Sequence, residues 1–253
     1  MRTEEFNKMR DLEARHWWFL GRRFLLRFLR RVLVQSDDLI LDVGCGTGLG
    51  ASELGTNSQV IGLDVSIDAF RVCDWNRLGM PCVGSAERMP FKNDSFQLVV
   101  ALDVLEHLER VDTALKEIYR VCKPGGFLLV LVPAYGWLWS SHDEVLGHKR
   151  RYTASSLVSA LRSAGFQIVR LSYVVTFVFP LAALVRLIRR LARRTAQTSD
   201  MAPVPGGLNL LLSLIMRVEV FFLRWVNMPF GLSVLAIAKR PEEAFAQCSR
   251  EVK

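Results

Sequence analysis

Between residues 38 and 174 the chain keeps a rhythm that few folds can accommodate: short apolar, β-branched runs alternate with helical patterns. LILDV (39–43), QVIGLD (59–64), PCVGS (81–85), FQLVVAL (96–102) and FLLVLVP (127–133) read as strands. Several are apolar almost throughout, as strands covered on both faces must be. The stretches 66–78, 104–122 and 154–164 read as helices, and Lys123-Pro124-Gly125-Gly126 stops the second of them. QIVRLSYV (167–174) and LSVLAIAKR (232–240) add two more strands. Strand–helix alternation of this kind implies an α/β fold, a doubly wound sheet.

LDVGCGTGLG (41–50) follows the first strand and opens a helix. Glycines at 44, 46 and 48 let the backbone turn tightly and let a ligand approach its N–H groups. Asp42 stands just before them, and Asp64 ends the second strand, where a carboxylate can accept two ribose hydroxyls. Gly46, Gly48 and Ala51 also satisfy GxGxxA, which keeps a nicotinamide oxidoreductase open on that motif alone, and a plain tight turn is the bland alternative.

Four pieces occur in order: LDVGCGTG (41–48), VIGLDVS (60–66), GSAERMPFKNDSFQLVVALDVLEHL (84–108) and RVCKPGGFLLVLVP (120–133). Together they resemble class I S-adenosylmethionine-dependent methyltransferases, of the type 11 branch related to quinone-biosynthesis enzymes. The resemblance implies a Rossmann-like sheet of seven strands in the order 3-2-1-4-5-7-6 and S-adenosylmethionine as cofactor. It implies that Gly44, Gly46 and Gly48 lie against the methionine and ribose parts, with Cys45 and Val65 alongside. Asp42 would orient the methionyl amine and Asp64 hold the ribose. Ser85, Ala86 and Glu87 would border the adenine, and Leu102 and Asp103 the sulfonium centre. A dehydrogenase would place phosphates at the helix N-terminus; a carboxylate such as Asp42 beside the loop suits an amine better.

Ligands in such folds bind at the carboxyl ends of the strands. After the fifth strand comes AYGWLWSSHDEVLGHKRRYTASSL (134–157), dense in reactive side chains. His148 or His142, oriented by Asp143, is a candidate general base, with Tyr152 a further catalytic candidate. Trp137 and Trp139 are candidates to line the acceptor, and Arg150 and Arg151 to hold a phosphate or carboxylate on it. The alternative is a loop that simply packs, with Arg–Asp pairs and Thr153 as a helix N-cap. At the N-terminus, EARHWWFLGRR (13–23) places His16 and Trp17 where they could close over the cofactor as a lid, or dock a helix on the sheet. HWWFLGRR with GHKRRYT is similar to bacterial methyltransferases associated with cell-envelope glycans and lipids. His107 reads as a capping or packing residue, and Met89 and Phe91 as core.

Composition then narrows the setting. The chain has 253 residues, 51% of them apolar, with a formal charge of +8; its mean hydropathy is +0.22. Such a balance favours acidic partners. Five cysteines without a CxxC pairing argue against a disulfide framework and a zinc site and fit a reducing cytoplasm; no metal is expected. No apolar stretch at the N-terminus reads as a signal peptide. Nucleic acid is disfavoured as acceptor: the fourth strand ends in ALDV, not the Asn/Asp-Pro-Pro-aromatic signature of base-amine methylation, and no cysteine sits as a cytosine nucleophile.

About fifty residues before the last strand are more than the sheet needs. The chain divides into an N-terminal helical lid (1–36), the cofactor-binding core (37–175), a hydrophobic and basic helical insertion (176–229), the last strand (230–240) and a tail (241–253). Within the insertion, LNLLLSLIMRVEVFFLRWV (208–226) is long but charged, and 171–185 is short and interrupted by Pro180. A transmembrane hairpin of the two would leave Arg186, Arg189, Arg190, Arg193 and Arg194 outside, against the positive-inside rule. On a helix, Asn209, Ser213, Arg217 and Arg224 form one narrow stripe and the rest is apolar. The expectation is a monotopic platform on an anionic membrane surface or for a lipid acceptor, against a buried cover or homodimer interface. The function expected is methyl transfer from S-adenosylmethionine to a lipid or lipid-linked acceptor, such as a glycan-lipid or isoprenoid, at the cytoplasmic membrane face. A small-molecule enzyme without a membrane, and a non-catalytic S-adenosylmethionine-binding module, are the alternatives.

Overall fold

The structure is a computed structural model and describes residues 3–35, 37–55, 59–73, 79–191 and 204–242. Two helices come first, α1 (Thr3–Glu13) and α2 (Trp17–Leu33). Strand β1 (Leu39–Val43) leads through the glycine loop into α3 (Leu49–Leu54). There follow β2 (Gln59–Asp64), α4 (Ile67–Val72), β3 (Met80–Val83), β4 (Phe96–Leu102), α5 (Val111–Val121) and β5 (Cys122–Pro133). The chain continues through α6 (Ser141–Leu146), α7 (Ala154–Ser163), β6 (Gln167–Val174), α8 (Phe179–Leu191), α9 (Gly206–Phe222) and β7 (Ser233–Lys239).

The seven strands form one sheet in the order β3-β2-β1-β4-β5-β7-β6. β7 runs antiparallel to both its neighbours, and the other pairings are parallel. The order reverses between β1 and β4, so the cleft outside their carboxyl ends is the natural ligand site. Both strands are buried on both faces, as their unbroken apolar runs require. One core cluster lies between the sheet and α5 and α7, the other between the sheet and α2, α3 and α9.

α5 begins at Val111; residues 104–109, expected to be helical, form turns instead. Val104, Leu105 and Glu106 are buried there, and Arg110 stands as the N-cap residue.

The insertion is helical, and α9 presents apolar side chains to solvent as well as to the core. Its inward face carries Ser213 and Glu219 beside Met216 and Val220, while the exposed Arg217 lies over the Phe24 ring at 4.1 Å and the exposed Arg224 over Phe28 at 5.6 Å. Asn209 accepts a hydrogen bond from the Trp17 amide (2.8 Å) and donates one to the Arg15 carbonyl (2.8 Å). Glu219 accepts from the amides of Val175, Thr176 (2.7 Å) and Phe177 (3.1 Å), tying α9 to the turn after β6. Facing outward are Leu208, Leu210, Leu211, Leu214, Val218, Phe221 and Phe222, followed by the exposed Trp225. Among the described residues no helix is long and apolar enough to cross a membrane. Arg193, Arg194, the linker 195–203 and the tail from 243 lie outside the described residues, as do the side chains of Arg189 and Arg190.

Candidate functional site

The glycine loop turns through left-handed backbone at Gly44 (φ 65°), Gly46 (φ 53°) and Gly48 (φ 83°). At Gly44 a side chain is excluded twice over, because a Cβ would lie 2.5 Å from Val104 Cγ2. At Gly46 the nearest atoms to such a Cβ are 3.9 Å and 4.0 Å away, so the loop presents open backbone there. The amides of Gly44 and Cys45 both donate to the Leu63 carbonyl, joining the loop to the end of β2. Cys45 is buried and its thiol pushed far up by that burial, so it packs and does not react.

Asp42 is buried, and its Oδ2 has no hydrogen-bond partner. Burial raises its carboxyl to about 7, against the opposing pull of Arg22. Asp64 ends β2 with Oδ2 accepting from the Gly46 amide (3.0 Å) and Oδ1 from the Ser66 amide (2.8 Å). A carboxylate has about four lone-pair sites, so acceptor capacity remains for a diol. Val65, next in the chain, is exposed. Ser85 accepts from the Glu87 amide (3.1 Å) and Ala86 is buried. Glu87 is engaged by Arg110, whose backbone and side-chain N–H groups hold its carboxyl below the ordinary range. Leu102 closes β4, and Asp103 after it adopts φ 54°. Strain at a non-glycine residue is found where structure elsewhere holds it; here Arg22 does so, bonding Asp103 Oδ2 at 2.9 Å and the Leu102 carbonyl at 3.2 Å.

The lid differs in detail from the sequence expectation. The contacts with the glycine loop come from α1: Thr47 Oγ1 donates to the buried Glu13 carboxylate (2.5 Å), and Met9 Cε is the atom nearest the open side of Gly46. Trp17 turns instead toward the insertion, its amide on Asn209 and its ring against the second core cluster. His16 caps α2, accepting from the Trp18 amide (3.4 Å), and its buried Nε2 has no partner. Burial lowers its pKa, which keeps the ring neutral.

The loop after β5 divides into held and presented residues. Asp143 is fully buried, accepting from Arg151 Nε (2.7 Å) and Nη2 (3.0 Å), from the Ser140 amide (2.8 Å) and, at 2.9 Å, meeting His148 Nδ1. Burial alone would raise its carboxyl; His148 and Arg151 outweigh that and hold it well below the ordinary range. Arg151 also donates to the Ala134 carbonyl (2.9 Å) and is almost wholly buried, so it clasps the loop rather than facing an acceptor. Arg150 Nη2 donates to the Leu108 (3.0 Å) and Glu109 (3.2 Å) carbonyls, the same kind of structural work. Tyr152 is core, its hydroxyl donating to the Leu105 carbonyl (3.3 Å). Thr153 does cap α7. Of the two histidines, His148 has the ring oriented by Asp143, and His142 lies beside it at 6.2 Å between centroids.

Trp137 (54% exposed) and Trp139 (37%) remain presented at the surface. Trp137 stacks on Tyr135 at 5.8 Å and meets Phe179 edge-on at 6.1 Å. Phe179 in turn contacts Phe230 at 5.5 Å. This aromatic chain joins the loop after β5 to the insertion, and Arg186 Nη1 on the Leu138 carbonyl (3.0 Å) reinforces it. Sequence reasoning missed Arg22, Glu13 and the buried Glu106; the only local signal was a charged residue amid apolar neighbours.

Residues 41–130 match the family model described as "Methyltransferase domain". A protein of Mycolicibacterium smegmatis named as a probable S-adenosylmethionine-dependent methyltransferase is 30% identical over 164 residues, 62% of this chain and 62% of its own. The demethylmenaquinone methyltransferase of Streptomyces avermitilis is 36% identical over 111 residues, 41% of this chain and 48% of its own. The chain thus spans about half to three-fifths of the length of these relatives (48% and 62%). Among solved structures, a methyltransferase chain of Haloferax volcanii in complex with a methyltransferase activator superposes with TM-score 0.61 at 19% identity. That superposition covers 94% of this chain and 95% of the other, a likeness of fold. Residues 41–130, which carry the glycine loop, thus match a methyltransferase domain, and the whole chain has the methyltransferase Rossmann-like fold.

Proposed function

We propose that this chain is a methyltransferase that moves the methyl group of S-adenosylmethionine to a lipid or lipid-linked acceptor at the cytoplasmic face of a membrane. The observation that carries the acceptor side of this reading is helix α9, whose buried Ser213 and Glu219 are satisfied within the protein while Leu208, Leu210, Leu211, Leu214, Phe221 and Phe222, and Trp225 after it, are exposed. An exposed apolar face of that extent suits a medium other than water. The basic residues of 186–194 and the charge of +8 favour an anionic surface.

The residues around the loop fit the cofactor. The unpartnered Asp42 Oδ2 suits an ammonium group, the open backbone at Gly46 admits close approach, and Asp64 can accept ribose hydroxyls. When bound, S-adenosylmethionine supplies an activated methyl group. The chain's part is mainly alignment and exclusion of water. Arg22 fixes the Leu102–Asp103 corner, α1 covers the loop through Glu13 and Met9, and Trp137 stands exposed on the loop after β5. For a hydroxyl acceptor, His148, when its second ring nitrogen carries no cation, is the group on the acceptor side whose orientation Asp143 sets.

The test is flotation of the purified chain with anionic and neutral liposomes, with S-adenosylmethionine affinity read by calorimetry on the same preparation. Cofactor binding with flotation on anionic vesicles is the expected result. Cofactor binding with no flotation removes the membrane reading and makes the outward face of α9 a dimer or acceptor cover. Absence of cofactor binding removes the enzyme reading. Flotation and cofactor binding without methyl transfer to any extracted lipid would leave a binding module.

A further inference from the structure

We propose that Glu106, His107 and His148 form a binding site for one zinc-class divalent cation on the acceptor side of the cleft. Among the described residues these three each bring one ligand atom, and those atoms lie within 4.8 Å of one another. Ligands about 2.1 Å from a tetrahedral ion sit about 3.4 Å apart, so modest side-chain rotation closes the set.

The decisive feature is Glu106. It is 0% exposed, and neither of its carboxylate oxygens has a hydrogen-bond partner. A buried carboxylate is ordinarily paired or bound to a metal. The two imidazoles it faces stand edge to face, 4.7 Å between centroids. His148 is held from its far side: its Nδ1 meets the Asp143 carboxylate at 2.9 Å, and that carboxylate is locked by Arg151 and the Ser140 amide. Ligand histidines characteristically donate their other ring N–H to a carboxylate or a backbone carbonyl, which sets ring orientation.

The two ligand-bearing turns are also joined by backbone. The Lys149 amide donates to the Glu106 carbonyl at 2.8 Å, and Arg150 to the carbonyls of Leu108 and Glu109. The backbone that carries the three ligands is thus in place before any ion arrives. Two imidazoles and one carboxylate are the ligand set of open catalytic zinc sites, and they leave a coordination position for a hydroxyl or carbonyl oxygen. Magnesium and calcium, which take oxygen ligands, suit it poorly. The sequence-based expectation of no metal rested on cysteine spacing, and this set uses no cysteine.

The inference does not depend on methyl transfer, because cation binding is read without cofactor. The full chain is stripped with chelator and titrated with Co2+, following ligand-field absorption, and with Zn2+ by calorimetry. One ion per chain is expected. His107→Ala, at an exposed position that leaves the fold intact, and Glu106→Gln should each weaken Zn2+ binding at least tenfold. Asp143→Asn should weaken it by about 10–100-fold through His148. Circular dichroism checks folding of each variant. Substoichiometric Zn2+ uptake, or affinity unchanged in His107→Ala, overturns the site whatever the other variants do.

Discussion

The glycine loop and helix α9 are incomplete in opposite senses. Beside the loop, Asp42 buries a carboxylate oxygen with no hydrogen-bond partner among the described residues. In α9 the inward polar groups find partners: Asn209 on α2, and Glu219 on three amides after β6. What α9 leaves unsatisfied is apolar, a row of large side chains facing out. The first region lacks a polar ligand and the second lacks an apolar medium. A fold completed by water alone would show neither, since buried polar groups are paired and large apolar patches are covered. The difference teaches that two regions of one fold can be left open in different physical terms, one polar and one apolar.

The sharpest way to break the comparison is at Asp42. Asp42→Ala should lower S-adenosylmethionine affinity by about 100-fold, corresponding to about 3 kcal/mol for a buried charge-assisted contact. Calorimetry reads it, and unchanged affinity would remove the amine assignment.

The same carboxyl predicts a pH dependence. Its pKa in the folded chain is raised to about 7, so below that pH a proton must leave before the carboxylate can meet a cationic amine. Cofactor affinity should therefore rise with pH up to about 7 and level off above it, with proton release on binding seen in buffers of differing ionisation enthalpy. Folding stability of the cofactor-free chain runs the other way. The native state holds a proton that the unfolded state has lost, so this group's contribution falls as pH rises from the ordinary carboxylate range to about 7.

On the α9 side, Glu219→Ala strips the acceptor from three amides and should cost about 3 kcal/mol in chemical denaturation. A loss below about 1 kcal/mol would mean that α9 is held by its apolar contacts alone. Replacing the outward Leu211, Leu214 and Phe222 by Ser should change stability by less than about 0.5 kcal/mol per site, yet abolish flotation on anionic liposomes. Large destabilisation without loss of flotation would show the outward face to be core rather than surface. An effect on stability smaller than that of Glu219→Ala is expected at Arg217→Ala, where an exposed-edge cation–π contact with Phe24 is worth about 0.5–1 kcal/mol.

Local features were legible without coordinates. The strands β1, β2, β4 and β6 fall on the expected residues, because continuous apolar runs bounded by glycine and charge leave little choice. Thr153 caps its helix as its position suggests. Residues 104–109 misled because their apolar spacing resembles the helix that follows, while the cleft demands a turn. The acceptor loop misled in a different way. Asp143, Arg150, Arg151 and Tyr152 are chemically plausible for an acceptor, and the fold spends all four on holding the loop.

The sequence by itself determined the sheet, the glycine loop with its two carboxylates, and the existence of an amphipathic segment before the last strand. Each of these is encoded by residues near one another in the chain. Only the tertiary structure decided which face of α9 points inward, that Met9 and Glu13 rather than Trp17 meet the loop, and that Arg22 steadies Asp103. It also decided that Glu106 and His107 meet a histidine from beyond β5. Those outcomes depend on pairs far apart in sequence. Burial sets the strength of a charge or hydrogen bond, and burial is a property of the assembled layers, not of any local run of residues.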